Sequence, residues 1–275
     1  MIGSCLRTIV FAVTVTVTGA LLTVNSAPAA GHTVRTSRPT TPAAALGYHK
    51  TTYHQSRIYW PGVRTPHPTA PTATSAWTAD IVVPLKATSK PGGDKVVSDL
   101  QTRAAIDGGA NVLLVVAVRH TRRAEYVQLR LPQRPNNAEG WVPANDVLLQ
   151  KTPWRIDVNG STTRVTLYNA GRPVASSLAV LGAPNHPTPT GLFAVSEDVP
   201  QPAGSVLGPN VLALTAHSNV WYTFDGGDGR IGIHSYELLG APLGTHLSNG
   251  CIRLPTGFVD LLLRHVGPGT PVQVS

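Results

Sequence analysis

A short segment near the end of the sequence combines residue types that can carry out nucleophilic catalysis. Ser248-Asn249-Gly250-Cys251 contains a cysteine, and His234 lies seventeen residues before it. The thiolate is the reactive form of cysteine, and a nearby imidazole can take the thiol proton at neutral pH. Gly250 allows a tight turn whose backbone N–H groups face a developing oxyanion. We therefore predict that Cys251 is a nucleophile and His234 its general base.

The cysteine usage favours a reactive role over a structural one. The sequence has two cysteines, and Cys5 precedes an apolar run from Thr8 to Val24. Arg7 before this run and Ala27-Pro28-Ala29 after it are typical of an export signal with its cleavage site. Cleavage would leave Cys251 unpaired, which in an exported protein indicates a reactive thiol. The alternatives are an uncleaved membrane anchor and a buried, inert cysteine.

Two motifs resemble the L,D-transpeptidase catalytic domain, also called the YkuD domain. The family signature is a His, a short gap, Ser or Thr, a variable polar residue, Gly, Cys, an aliphatic residue, and Arg or Asn. The residues that fit it are His234, Ser248, Gly250, Cys251, Ile252 and Arg253. Asn249 stands where His is commoner. The segment from Leu181 to Phe193 resembles the family's Gly-x-Pro…Thr-Pro-x-Gly-x-Phe element, so the resemblance covers roughly residues 154–275.

The resemblance implies a reaction. Cys251 would attack a peptidoglycan tetrapeptide stem between the L-centre of diaminopimelate and D-alanine, form a thioester, and pass the acyl group to an amine acceptor. It also implies that the backbone carbonyl of Ser235 orients the imidazole, so that no side-chain acid is needed. Covalent inhibition by carbapenems is expected. Hydrolysis of the thioester, as in an L,D-carboxypeptidase, remains an alternative.

The predicted site has three groups of residues. The catalytic group is Cys251, His234 and Ser235; the oxyanion loop is Asn249 and Gly250; the substrate-binding group is Ser248, Arg253 and Tyr222. Arg253 could instead brace the loop, and Tyr222 could fill the core. No cofactor is expected. No metal is expected either, because one cysteine and dispersed histidines lack a recognisable zinc-ligand spacing.

Composition and charge indicate a β-rich protein that works near a polyanion. The chain has 275 residues, 26 Gly, 24 Pro and a formal net charge of +8. Gly and Pro disfavour long helices, whereas the plentiful Val and Thr favour strands. The positive charge fits two interpretations, solubility alone or attraction to an anionic cell wall as partner. Nucleic acid is excluded because the basic residues are scattered and form no basic helix or aromatic-basic motif.

Changes in amino-acid composition and apolar pattern along the chain predict four segments. Residues 1–29 form the signal peptide, 30–76 a Pro/Thr-rich linker, 77–151 an SH3-like domain, and 152–275 the YkuD catalytic domain. The fold class is therefore mainly β, with a small SH3-like β-barrel followed by a YkuD-type β-sandwich carrying one or two short helices. The SH3-like assignment depends on Gly140-Trp141-Val142, and an immunoglobulin-like sandwich is the alternative.

Several elements can be predicted individually. Strands are expected at 81–85, 112–118 and 126–131, the last from its apolar–polar alternation. A hairpin is expected from 154–158 and 164–168 around Asn159-Gly160, a strong turn dipeptide. A helix is expected over 255–265, with Thr256 as its N-cap.

Other protein classes fit the motif less well. Sortases place their His and Cys much further apart, and NlpC/P60-type hydrolases place the Cys before the His. A non-catalytic wall-binding protein with an SH3-like module remains an alternative. The expected localisation is secreted, in the cell wall or at the outer face of the membrane.

Overall fold

A computed structural model describes residues 67–122, 124–224 and 226–275. Strands dominate this part of the chain, which contains seventeen of them and a single α-helix. The prediction of a mainly β protein is confirmed. The predicted signal peptide and most of the predicted linker lie outside the described residues. Within those residues, no helix is long and apolar enough to cross a membrane.

The first sheet is antiparallel throughout. Its strands are β1 (Ala76–Asp80), β2 (Leu85–Thr88), β3 (Val96–Leu100), β4 (Val112–His120), β5 (Glu125–Arg130), β6 (Glu139–Pro143) and β7 (Leu148–Thr152). They lie in the order β3-β2-β6-β5-β4-β1-β7. The strands predicted at 112–118 and 126–131 are confirmed. The SH3-like character of this region stays a prediction.

The strand predicted at 81–85 is wrong. The chain leaves β1 at Asp80 and enters β2 only at Leu85. Pro84 explains the gap, because proline has no N–H to give to a strand ladder. Ile81 is nevertheless fully buried, and its N–H still donates to the Asn111 carbonyl at 3.0 Å, so contact with the sheet continues for one residue beyond β1.

The second sheet is mixed and larger. Its strands are β8 (Trp154–Asn159), β9 (Arg164–Asn169), β10 (Arg172–Leu178), β11 (Val180–Gly182), β12 (Gly191–Pro200), β13 (Asn210–His217), β14 (Arg230–Ser235), β15 (Thr245–Ser248), β16 (Ile252–Leu254) and β17 (Pro271–Val274). Their order is β10-β9-β8-β17-β12-β13-β14-β16-β11-β15. The pairs β8/β17, β11/β15 and β14/β16 are parallel.

The predicted opening hairpin is confirmed, with a longer loop than expected. β8 and β9 pair antiparallel up to Asn159 and Arg164, so four residues connect them. The side-chain Oδ1 of Asn159 accepts a hydrogen bond from the Thr162 N–H at 2.9 Å and stabilises this loop. The next connection is a two-residue turn in which Ala170 and Gly171 both have positive φ, as a type I′ turn requires.

One helix, α1 (Thr256–Leu263), packs against the second sheet. Val259 and Leu262 are fully buried in its core. The prediction that Thr256 is the N-cap is wrong, because Pro255 occupies that position and Thr256 is the first helical residue. A proline fits there because its fixed φ suits the entry into a helix.

The two sheets belong to one compact unit. Ala76 and Leu114 of the first sheet share an apolar cluster with Ala194 of the second. The chain passes from β7 to β8 through Pro153 alone. The domain boundary predicted at 151/152 stays a prediction. Independent folding of the two segments stays a prediction.

Candidate active site

The predicted nucleophile and base lie on neighbouring parallel strands. β14 and β16 are paired with Ile233 opposite Ile252 and His234 opposite Arg253. Cys251 comes directly before β16 and lies beside Gly232, whose backbone hydrogen-bonds the thiol. Residues two apart on a strand project to the same face. His234 and Cys251 therefore face the same side of the sheet, as catalysis between them requires.

His234 is held as a neutral base. Its side chain is buried, and its Nδ1 lies 2.8 Å from the carbonyl oxygen of Ser235. A carbonyl only accepts hydrogen bonds, so Nδ1 carries the proton and Nε2 keeps a free lone pair. Burial lowers the pKa of His234 to about 4, with a further lowering by the Arg253 cation, against the raising effect of the Ser235 carbonyl. The imidazole is therefore neutral at physiological pH.

Cys251 is also neutral at rest. It is a free cysteine with a partly buried side chain. Burial raises the pKa of its thiol, while the Gly232 backbone hydrogen bond and the Arg253 cation act in the opposite direction. The raised pKa of Cys251 and the lowered pKa of His234 both favour a thiol–imidazole pair over an ion pair. The thiolate must then form by proton transfer during the reaction.

The turn before Cys251 is closed by Ser248. Its Oγ donates to the Cys251 carbonyl at 2.6 Å and accepts from the Gly250 N–H at 3.1 Å. Ser248 is buried, so the predicted substrate contact stays a prediction and the observed contacts are within the turn. Because the Gly250 N–H is already used, the N–H groups of Asn249 and Cys251 are the donors left for an oxyanion. Asn249 itself is exposed.

The second sequence motif, Leu181 to Phe193, supports this turn through hydrogen bonds and close packing. Thr188 Oγ1 donates to the Gly250 carbonyl at 2.8 Å and accepts from the Gly182 N–H at 2.9 Å. A Cβ on Gly182 would collide with backbone atoms of residues 186 to 188. The glycine and the threonine of the motif thus serve one purpose: they let the two backbones approach and lock them together.

Two more polar contacts stabilise the end of β14. Ser235, predicted in the catalytic group, is buried, and its N–H donates to the Leu207 carbonyl. Its Oγ hydrogen-bonds Thr256 Oγ1 at 3.0 Å. Glu237 accepts from both the N–H and the Oγ1 of Thr256, at 2.7 Å each. The carbonyl that orients His234 is therefore fixed against the start of α1.

Arg253 brings an unneutralised cation to the site. It lies opposite His234 in the strand register and shares its face of the sheet. Its Nε is buried without a hydrogen-bond partner. A buried unsatisfied donor is costly, so this guanidinium is suited to take an anionic ligand. The role predicted for it, substrate binding or bracing, remains open at this point.

An exposed aromatic wall follows β13. The connection from β13 to β14 carries Trp221, Tyr222 and Phe224, which are 40%, 70% and 52% exposed. Trp221 stacks on His186, with ring centroids 5.3 Å apart, and meets Phe224 edge-on at 6.3 Å. Tyr222 is exposed, so the alternative that its side chain fills the core is wrong.

Sequence reasoning missed four residues that shape the site: Arg134, Asn136, His186 and Thr188. Arg134 and Asn136 lie in the β5–β6 connection of the first sheet and hydrogen-bond the Ser218 and His217 carbonyls; no local pattern connects them to the second sheet. Thr188 lies inside the Leu181–Phe193 motif, so the resemblance contains a signal for it.

No group of three or more His, Cys, Asp or Glu side chains placed to hold a metal ion occurs in the part of the chain that the structure describes.

Solved structures of L,D-transpeptidases are similar to this chain. One is a Cys-to-Ser mutant from Enterococcus faecium: 23% identity, 44% of this chain and 49% of that chain, TM-score 0.35. The catalytic domain of an L,D-transpeptidase from E. faecium is 25% identical over 44% of this chain and 96% of that chain, with a TM-score of 0.33. L,D-transpeptidase 3 from Mycobacterium tuberculosis, in complex with a faropenem-derived adduct, is 18% identical over 65% of this chain and 97% of that chain, with a TM-score of 0.39. The chain thus spans about half the length of the first of these chains.

A comparison with curated proteins gives no match. A comparison with family models gives a match over the part of the chain that contains the site. Residues 153–274, which include His234, Cys251 and both sequence motifs, match the model of the L,D-transpeptidase catalytic domain, YkuD.

Proposed function

We propose that this protein is an exported peptidoglycan L,D-transpeptidase with Cys251 as nucleophile and His234 as general base. One observation carries the proposal: His234 donates its Nδ1 proton to the Ser235 carbonyl, which leaves Nε2 free on the face that Cys251 shares. The match of residues 153–274 to the L,D-transpeptidase family model supports the same reaction class.

The first half-reaction forms a thioester. Nε2 of His234 takes the thiol proton as the Cys251 sulfur attacks the carbonyl carbon of the donor stem peptide. The new S–C bond gives a tetrahedral oxyanion, which the N–H groups of Asn249 and Cys251 stabilise. The C–N bond to the terminal D-residue then breaks, and the departing amine takes the proton from His234.

The second half-reaction releases the enzyme. An amine of an acceptor stem attacks the thioester carbonyl while Nε2 of His234 removes its proton. The S–C bond breaks, an amide cross-link forms, and His234 returns the proton to the Cys251 sulfur. A neutral His234 suits both steps, because its lowered pKa keeps Nε2 available as a base at neutral pH.

Arg253 binds a carboxylate of the donor stem. Its side chain is only partly buried and makes no ion pair within the described residues, so its charge is available to a bound carboxylate. Tyr222, exposed on the aromatic wall, contributes to the same binding surface. Arginine suits this role because its planar guanidinium matches the geometry of a carboxylate.

The rest of the chain fits a protein that works at the cell wall. Export through residues 1–29, a linker over 30–76 and an SH3-like module at 77–151 would deliver the catalytic part to peptidoglycan. The net charge of +8 favours association with an anionic wall. The site of action is outside the cytoplasmic membrane.

Intact-mass measurement after incubation with a carbapenem tests the proposal. We expect one adduct on the wild-type protein, located at Cys251 by peptide mapping, and none on Cys251→Ala. The matched control is His246→Ala, which should still be labelled, because His246 is exposed and contacts only the Gly182 carbonyl at 3.3 Å.

Stem peptides then separate the alternatives. Cross-linked product supports the transpeptidase, whereas release of the terminal residue without a cross-link supports an L,D-carboxypeptidase. A wild-type protein that takes no label and turns over no stem peptide contradicts the proposal and favours a non-catalytic wall-binding protein.

A further inference from the structure

We propose that Arg134 is a positioning residue for the active site: it holds the aromatic wall of the catalytic part from the first sheet. This inference rests on the proposed function, because it assigns the wall a role in admitting the acyl donor. It gives the segment at 77–151 a part in building the site, in addition to the delivery proposed above.

The Arg134 guanidinium binds the backbone of the β13–β14 connection at several points. Nη1 donates to the Ser218 carbonyl at 2.7 Å, and Nη2 donates to the Trp221 and Asp228 carbonyls at 2.9 and 3.2 Å. The guanidinium also lies 4.6 Å from the centre of the Tyr222 ring. One side chain thus bridges the start and the end of the connection.

Close packing surrounds the guanidinium at Gly229. This glycine has a φ of +72°, and a Cβ there would collide first with the Trp221 carbonyl oxygen and would also lie 3.0 Å from Arg134 Nη2. Charge-assisted hydrogen bonds from a guanidinium are among the stronger ones in proteins. Arg134 forms no ion pair with a carboxylate of the described residues, so the carbonyls of the connection are its main partners.

Neighbouring residues fix the two ends of the connection to the same turn of the first sheet. Asn136 exchanges two hydrogen bonds with the backbone of His217, one from its Nδ2 at 2.7 Å and one to its Oδ1 at 2.8 Å. At the other end, Arg230 donates to the Pro132 carbonyl at 3.2 Å and pairs with Asp228 at 2.8 Å. The connection therefore cannot shift without breaking contacts to the turn at 132–136.

The wall in turn touches the segment that supports the nucleophile. Trp221 stacks on His186. The His186 and Pro187 carbonyl oxygens pack against Gly250, 3.7 and 3.6 Å from the point where a Cβ on Gly250 would lie. Thr188, in the same segment, hydrogen-bonds the Gly250 carbonyl. A continuous chain of contacts therefore runs from Arg134, through Trp221 and His186, to the turn of Cys251.

This arrangement separates access from reactivity. The thiol and its base are held by strand pairing and by the Ser235 carbonyl, none of which involves Arg134. Loss of Arg134 should therefore loosen the wall, which a large acyl donor must contact, and leave the intrinsic chemistry of Cys251 in place. A misplaced binding wall can slow the reaction of a positioned substrate by one to two orders of magnitude.

The test compares Arg134→Ala and Arg134→Lys with a matched control, Arg164→Ala, in the full protein. Arg164 is an exposed arginine on β9 whose Nη1 contacts only Ser176 Oγ, at 3.1 Å. Three quantities are measured: hydrogen exchange of the backbone over 217–230, the rate of acylation of Cys251 by a carbapenem, and the rate of alkylation by iodoacetamide.

We expect Arg134→Ala to speed exchange over 217–230 and to slow acylation roughly 10-fold, with alkylation within about 2-fold of the wild type. Arg134→Lys, which keeps the charge but not the fork of donors, should lie in between. Arg164→Ala should match the wild type in all three. If Arg134→Ala fails to fold, the lysine variant decides alone.

Unchanged exchange over 217–230 in the Arg134 variants would overturn the inference, and so would an equal slowing of acylation and alkylation. Failure of the proposed function looks different: the wild type itself would take no label at Cys251. The exchange measurement would still report whether Arg134 holds the wall.

Discussion

The catalytic turn and the aromatic wall are neighbours, but they differ in which sheet supplies their long-range support. The turn at 248–251 closes on itself: Ser248 Oγ reaches the Cys251 carbonyl three residues away. The wall at 218–224 is held from elsewhere, by Arg134, which lies 84 residues before Ser218. Both also have support of the other kind: Ser218 Oγ accepts from the Val220 and Trp221 N–H groups within the wall, and Thr188 braces the turn from the same sheet. The difference is that only the wall takes support from the first sheet.

The turn and the wall also differ in solvent exposure. Ser248 and Gly250 are buried, while Trp221, Tyr222 and Phe224 keep large exposed faces. Local closure and burial suit a turn that must present a thiol in one geometry. Remote bracing suits a wall that must stay open to a bulky substrate. Chemistry and access are thus assigned to different parts of the chain.

The largest effect should come from crowding the support of the turn. In Gly182→Ala, the new Cβ would meet the Pro187 carbonyl carbon at 2.6 Å and neighbouring backbone atoms more closely still. Backbone cannot move aside as a side chain can, so we expect a loss of about 4 kcal/mol in the free energy of unfolding. Urea denaturation measures it.

Gly257→Ala is the matched control for this substitution. Gly257 lies in α1, and a Cβ there would meet no atom within 4 Å. Alanine is the better helix former, so this variant should gain up to about 1 kcal/mol. If both variants unfold at the same urea concentration, the close approach behind the turn does not matter for stability.

His234 should make the stability of the fold depend on pH. An exposed imidazole titrates near pH 6.5, whereas burial lowers the pKa of His234 to about 4. Between these values the unfolded chain binds more protons than the folded one. Stability is therefore complete above pH 6.5 and falls as the pH drops toward 4, by about 3 kcal/mol.

Chemical denaturation of wild type and His234→Gln at pH 7.5 and 4.5 measures this contribution. The glutamine variant should lose less stability between the two pH values than the wild type. Burial also lowers the pKa of His217, so a part of the decline remains in the variant. An identical decline in both proteins would contradict the neutral, buried state of His234.

The reactivity of Cys251 should depend on His234 mainly at neutral pH. The raised pKa of the thiol leaves little thiolate at pH 7 without a base. We expect His234→Ala to slow alkylation about 100-fold at pH 7, and much less at pH 9.5, where hydroxide removes the proton. The rate of iodoacetamide labelling against pH measures this dependence.

His246→Ala is the control for that profile. His246 lies on β15 close to the same turn, but its ring is exposed. Its profile should follow the wild type. If His246→Ala shows the loss at pH 7 and His234→Ala does not, the base has been assigned to the wrong histidine.

The contrast between turn and wall also explains what the sequence could predict. The β8–β9 hairpin, α1 and the Ser248–Cys251 turn arise from short patterns, and their prediction succeeded. The position of His234 beside Cys251 needed only the motif spacing and a strand pair. The failed prediction at 81–85 arose because an apolar run does not distinguish a buried connection from a strand.

The attachment of the wall to the first sheet could not be predicted, because no local pattern encodes it. Arg134 and Asn136 lie between β5 and β6 in a polar turn that resembles many others. Most of their partners are backbone carbonyls and an N–H, which leave no trace in residue types; the side-chain partners are the Asn219 amide and the Tyr222 ring. Only the packing of the two sheets brings them together with residues 217–228.

The smallest predicted effect concerns the contact between the two regions. Trp221 and His186 stack with an interplanar angle of 16°, and such ring pairs contribute about 1 kcal/mol beyond buried area. A double-mutant cycle with Trp221→Leu and His186→Leu, measured as carbapenem acylation rates, should therefore give a coupling of about 5-fold.

The same cycle measured by iodoacetamide alkylation should give no coupling, because that reagent does not need to contact the wall. Additive effects on acylation would mean that wall and turn act independently, and equal coupling in both assays would mean that the stack tunes the thiol itself.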